Sequence, residues 1–182
     1  MKLYFSPRTR ATRSRWLLEE LEIPYELEKV DIETKTPLPP FGEVPMLVDG
    51  ALTLFESQAI CLYLADKFPE KLLAPAVGSA NRALYYQWIA FAETRLEPLL
   101  LKFHDQSAEP HHRAALNHLF DVVTGTLGDR EVLVGTMFTV ADLVMASILH
   151  LANTLKLLDG HPKLVEYVAR HTARPAVRRS LA

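Results

Sequence analysis

A chain of 182 residues that is 49% hydrophobic and 23% charged can bury a sizeable core, as one large domain or two small ones. Its 20 Lys plus Arg against 22 Asp plus Glu leave a formal charge of -2, so no global field recruits nucleic acid. No apolar run approaches the ~20 residues that span a bilayer, so no membrane partner is expected. The one cysteine, Cys61, excludes an internal disulfide framework and fits a reducing compartment.

Lys2 to Phe5 reads as a short strand closed by Ser6-Pro7. Five basic residues and no acid in the first fifteen superficially resemble a transit peptide, but Leu3-Tyr4-Phe5 is already strand-like, and a cytoplasmic protein is expected. A helix follows from Thr9 or Ala11, with Ala11, Ser14, Leu17, Leu18 and Leu21 on one face. Ile23-Pro24 stops it, and Tyr25 to Val30 alternates as a second strand. Strand, helix and strand imply a right-handed crossover between parallel strands. Three prolines in the segment Asp31 to Gly42 forbid a regular helix there.

The stretch Glu43 to Ser57 carries the most information. Met46 to Val48 and Leu52 to Phe55 are β-prone runs joined by Asp49-Gly50, a tight-hairpin signal because glycine tolerates positive φ. Pro45 opens the first of these strands. It gives up a ladder donor, allows a cis bond with Val44, and would leave Val44's backbone polar groups at an edge that can pair with an extended peptide. Glu56 and Ser57 precede the apolar helix Ala59, Ile60, Leu62, Tyr63 and Leu64, where a polar cap belongs. Free N-H groups there favour a carboxylate and Glu56 favours an ammonium, which together suit the α-amino acid end of a peptide. Cys61, inside this run, is expected to be a small buried hydrophobe.

Pro69 to Ser79 reads as an interdomain linker and everything after it as helical. Leu84, Trp88, Phe91, Ala92, Leu96, Leu99 and Phe103 share one face, with Pro98 expected to kink or shorten the helix. Leu116, Leu119, Phe120, Val123 and Leu127 mark the next. Thr139 to Asp142 is a capping-box variant ahead of the stripe Val140, Val144, Ile148 and Leu151. The basic C-terminal residues Arg170, Arg174, Arg178 and Arg179 read as a solvated helix face. His104, His111, His112 and His118 cluster in sequence, but adjacent His111 and His112 are expected on different helix faces and no acid or cysteine recurs at ligand spacing, so no metal site is expected.

These features resemble a cytosolic-type glutathione transferase along nearly the whole chain: Val44-Pro45 and Glu56-Ser57 in the first half, and Gly135, Phe138, Thr139, Ala141 and Asp142 in the second. The resemblance implies an α+β fold, with a thioredoxin-like N-terminal domain at residues 1-74 built on a mixed four-stranded sheet. An all-α domain follows at 75-182, the linker lying at about 69-79. It implies glutathione as co-substrate, with Val44 pairing with the cysteinyl backbone beside Pro45, and with Glu56 and Ser57 holding the γ-glutamyl end. It also implies a homodimer.

In the family the thiol is activated by a Tyr, Ser or Cys in the loop after the first strand. Counting without gaps puts Thr9 at the serine position and Arg10 at the cysteine position. Thr9 is therefore the first choice for catalysis, with Ser6 and Thr12 behind it and Arg10 as a cationic helper; Thr9 and Thr12 could equally cap the first helix, and because a cap and a thiolate donor use different faces of the hydroxyl both roles can hold. An apolar electrophile pocket is expected from Phe5, Pro7, Trp88, Phe91, Arg95 and Leu99, although these residues also suffice as core, the favoured role for Trp88 and Phe91. Two departures from the pattern are the short Asp31 to Gly42 connection and Glu43, a carboxylate near the peptide's own. The expected activity is conjugation of glutathione to small apolar electrophiles or a related thiol-dependent reaction; the alternative is a non-catalytic binding or regulatory protein on the same scaffold.

Overall fold

The computed structural model describes residues 1–31 and 41–181. Residues 32–40, most of the proline-rich connection, lie outside the described residues. The chain divides into two compact units, Met1–Leu72 joined by the C-terminal segment from Arg174, and Leu73–Ala173.

The first unit runs β1 (Lys2–Phe5), α1 (Ala11–Leu21), β2 (Glu26–Lys29), β3 (Met46–Asp49), β4 (Leu52–Phe55), α2 (Ser57–Lys67) and, from the far end of the chain, α8 (Pro175–Leu181). Its mixed sheet has the order β2-β1-β3-β4, with β1 parallel to β2 and antiparallel to β3, as the crossover and hairpin predict. Leu3 stands between Leu27 and Leu47 in the sheet register. Leu3 and Leu47 are fully buried, as are Leu17, Leu18, Ile60 and Leu64 of the helices. A smaller cluster of Val30 and Met46, with Tyr4, Val44 and Val48 packed on it, adds a second apolar group to the sheet. The alternation in β2 does not mark a buried face, however, since all four of its residues are exposed. At the sheet edge Glu26 and Glu28 instead pair with Lys2 at 3.3 and 3.9 Å.

Gly50 takes φ 61° at the β3–β4 turn, with Asp49 paired to Leu52 across it. Asp49 then reaches α2: its carboxylate accepts from the Tyr63 hydroxyl at 2.7 Å and pairs with Lys67. Cys61 is fully buried in α2. The basic C-terminus is not simply a solvated face. Arg174 donates to both oxygens of Glu20 at 2.6 and 2.9 Å, and Arg179 pairs with Glu19 at 3.0 Å, so α8 is held on α1 by charge-assisted bonds.

The second unit comprises α3 (Ala80–Phe91), a π-turn (Ala92–Leu96), α4 (Glu97–His104), α5 (Pro110–Leu127), α6 (Val140–Thr154) and α7 (Pro162–Thr172). The Ser79 side chain accepts from Arg82 N-H at 3.1 Å and caps α3. Pro98 has no N-H to donate, and the chain accommodates it one turn earlier by widening into the π-turn, where Glu97 N-H donates to Ala92 C=O. The buried face of α3 is Tyr85, Trp88 and Ile89, while Leu84, expected inside, is 42% exposed. The expected separation of His111 and His112 also fails, because at the first turn of α5 their rings lie 4.0 Å apart. His112 Nδ1 accepts from Glu109 N-H at 2.8 Å and so closes the helix cap.

Helix α6 is the centre of this unit, with ten of its fifteen residues buried. The predicted capping box is present: Asp142 N-H reaches the Thr139 hydroxyl, and Thr139 N-H donates to Asp142 Oδ2 at 3.0 Å. Asp142 Oδ1 also accepts from Leu133 N-H at 2.8 Å and from the Tyr167 hydroxyl at 2.9 Å. Burial nevertheless pushes the Asp142 carboxyl above its ordinary value, with the backbone and tyrosine hydrogen bonds opposing the shift.

Candidate functional site

The apolar-polar order of the Glu43 to Ser57 stretch folds it back on itself. The β3–β4 hairpin therefore brings the residues before β3 beside those after β4. Val44-Pro45 is a cis peptide just ahead of β3. Glu56 follows β4 directly and is held at φ 66°, ψ 116°, a left-handed conformation that a non-glycine residue adopts only when its surroundings demand it. Ser57 opens α2, and Ile60 N-H donates to Glu56 C=O at 3.0 Å. The Glu56 side chain does not make the expected capping bond to the helix.

One cleft of the first unit is lined by Arg10, Phe41, Glu43, Val44, Pro45, Phe55 and Glu56. It unites three separate segments: the loop before α1, the approach to β3, and the end of β4. Phe41 and Phe55 form an aromatic wall, edge to face at 5.3 Å, and both are exposed. Among the described residues lining the cleft, Arg10 is the cation and Glu43 and Glu56 are the acids. Ser57 is buried at 3% exposure beside Glu56.

The loop between β1 and α1 is tied by its own side chains. The Thr9 hydroxyl donates to Ser6 C=O at 2.7 Å and accepts from Ala11 N-H at 3.2 Å, while the Thr12 hydroxyl donates to Thr9 C=O at 2.9 Å. Thr9 and Thr12 thus tie the loop to the start of α1, as the capping reading expects. Ser6 is buried and Pro7 is exposed. Phe5 is buried in the first unit with the Arg15 guanidinium 5.1 Å from its ring centre. In the second unit Trp88 is buried against Phe91, with rings 5.2 Å apart, Arg95 lies exposed in the π-turn, and Leu99 is half-buried in α4. The residues that sequence reasoning missed are Phe41 and Phe55, whose pairing depends on the hairpin and has no local signature.

Fold and cleft define a thioredoxin-like domain with a small polar cleft at its cis-proline, followed in the chain by a helical domain. Residues 1–66 match the family model "Glutathione S-transferase, N-terminal domain" and residues 73–175 match "Glutathione S-transferase, C-terminal domain". The chain is 30% identical to glutathione S-transferase GstA of Escherichia coli O157:H7, over 100% of this chain and 98% of that protein. It is similar to the ternary complex of BphK, a bacterial glutathione S-transferase, with TM-score 0.89 and 30% identity over 100% and 98% of the two chains. It also resembles the sphingomonad glutathione S-transferase complexed with glutathione, with TM-score 0.87 and 27% identity over 100% and 97%. The chain belongs to the glutathione S-transferase family. Full-length likeness to transferases favours an enzyme over the non-catalytic alternative.

Proposed function

We propose that the cleft binds reduced glutathione and that its thiolate is conjugated to small apolar electrophiles, a detoxifying reaction. Val44 offers its backbone to the cysteinyl unit beside Pro45. Glu56 takes the α-ammonium, and the start of α2 at Ser57 takes the α-carboxylate. The thiol is activated at the start of α1, where Ser6, Thr9 and Arg10 lie. The observation that carries this reading is the cleft itself, which puts Arg10, Val44, Pro45 and Glu56 on one surface from three segments of chain. A sphingomonad relative complexed with glutathione supports it.

Calorimetric titration with reduced glutathione and with S-methylglutathione tests the site. Glu56→Gln is expected to weaken both ligands about tenfold or more, because a charge-assisted bond to the ammonium contributes about 1.5–3 kcal/mol. Equal binding by this variant and the unaltered protein would reject the assignment. A cytoplasmic homodimer is part of the same reading, supported by family membership; a monomer by light scattering at micromolar concentration would contradict the dimer.

A further inference from the structure

We propose that the Arg10 guanidinium, and not the Thr9 hydroxyl, holds the glutathione thiolate; this rests on the cleft being the glutathione site. Thr9 has one hydroxyl proton, and it is spent on Ser6 C=O at 2.7 Å. Its oxygen in turn receives Ala11 N-H at 3.2 Å. To donate to sulfur, Thr9 would have to abandon a half-buried carbonyl and loosen the entry to α1. The Thr12 proton is committed in the same way to Thr9 C=O. Arg10 lines the cleft with Val44, Pro45 and Glu56, and it immediately precedes Ala11, the first residue of α1. Arg10 is the residue that caps α1 in the backbone, so the positive end of that helix dipole lies in the same loop.

The charges of the cleft point the same way. Glu56 is matched by the ligand's ammonium and the start of α2 by its α-carboxylate, whereas a thiolate needs a cation on the protein side. Arg10 is that cation among the described lining residues, and Glu43 opposes it. An arginine remains protonated across the working range and so cannot act as a base. The thiol proton passes to solvent water and the S-H bonding pair stays on sulfur beside the guanidinium. In conjugation that pair forms the S-C bond, and the electrophile's leaving group departs with the electrons of its own bond. An opposite charge within about 4–6 Å lowers a pKa by about 1–3 units, enough to bring a thiol from about 8.5 into the neutral range.

The test is ultraviolet titration of the bound thiol in Arg10→Gln, Arg10→Lys and Thr9→Val, alongside S-methylglutathione binding. Arg10→Gln is expected to raise the bound thiol's pKa by about 1–2 units and to lower kcat/KM at neutral pH about 10- to 100-fold. Arg10→Lys restores most of the shift. S-methylglutathione, which has no ionisable thiol, binds Arg10→Gln within about threefold of the unaltered protein, and Thr9→Val leaves the bound thiol where it was. The proposal is overturned if Thr9→Val moves the thiol and Arg10→Gln does not. It is equally overturned if Arg10→Gln weakens S-methylglutathione as much as glutathione, which would assign Arg10 to a ligand carboxylate. Absence of S-methylglutathione binding to the unaltered protein would instead reject the glutathione site itself, a result distinct from either.

Discussion

Arg174 grips Glu20 with two parallel bonds of 2.6 and 2.9 Å across 154 residues of sequence, and Trp16 Nε1 donates to the same carboxylate at 2.9 Å. The Glu20 side chain is only 9% exposed, so removing its partner leaves a charge that water cannot fully solvate. Arg174→Ala is expected to cost about 1–3 kcal/mol in denaturant unfolding followed by tryptophan fluorescence. An unchanged midpoint would mean that the fork contributes nothing net to holding α8 on α1.

Both oxygens of Asp142 are saturated by donors: Oδ1 by Leu133 N-H and the Tyr167 hydroxyl, Oδ2 by the Thr139 N-H and hydroxyl. An asparagine amide in either orientation would turn its NH2 toward N-H and O-H donors. Asp142→Asn is therefore expected to destabilise the helical unit by about 2–4 kcal/mol. Tyr167→Phe removes one donor and should cost about 1 kcal/mol. Thermal unfolding of both variants checks the order; a larger loss in Tyr167→Phe would contradict it.

Lys67 and Tyr63 hold the Asp49 carboxyl below its ordinary value of 3.8, and Asp49 followed by Tyr63 raises Lys67 above 10.5. The depressed acid contributes stability fully above pH 3.8 and loses it as pH falls through the lower native value. The raised base contributes fully below pH 10.5 and loses it as pH rises through the higher native value. The link between the β3–β4 turn and α2 therefore works on a plateau between these limits. Asp49→Asn should flatten both flanks of the midpoint-against-pH profile, and flanks as steep as in the unaltered protein would refute the assignment.

Glu43 lines the cleft that also holds Glu56, and under the proposed function its carboxylate would repel those of glutathione. Neutralising one exposed charge is worth about 0.3–1 kcal/mol. Glu43→Gln is thus expected to tighten glutathione about two- to fivefold by calorimetry, more at low ionic strength than at high. Weaker binding would show that Glu43 holds the ligand.

Element types were readable wherever the signal was local. Leu3-Tyr4-Phe5, the Asp49-Gly50 turn, the Thr139–Asp142 capping box and Pro98 each act within a few residues of themselves, and each left its expected mark. The pattern misled where burial depended on neighbours. Leu27 alternates with acids yet lies at a sheet edge 39% exposed, and Leu84 fits the helical stripe but sits one position off the buried face.

The chain's own order of residues marked the β3–β4 hairpin, the proline ahead of β3 and the helix start at Ser57, because propensity and turn chemistry are short-range properties. Three-dimensional packing alone settled that Arg174 and Arg179 pair with Glu20 and Glu19, that Phe41 meets Phe55, and that Arg10 lines one cleft with Val44 and Glu56. Those pairings join segments far apart in the chain, and a hydroxyl's single proton goes to whichever acceptor the folded backbone sets beside it.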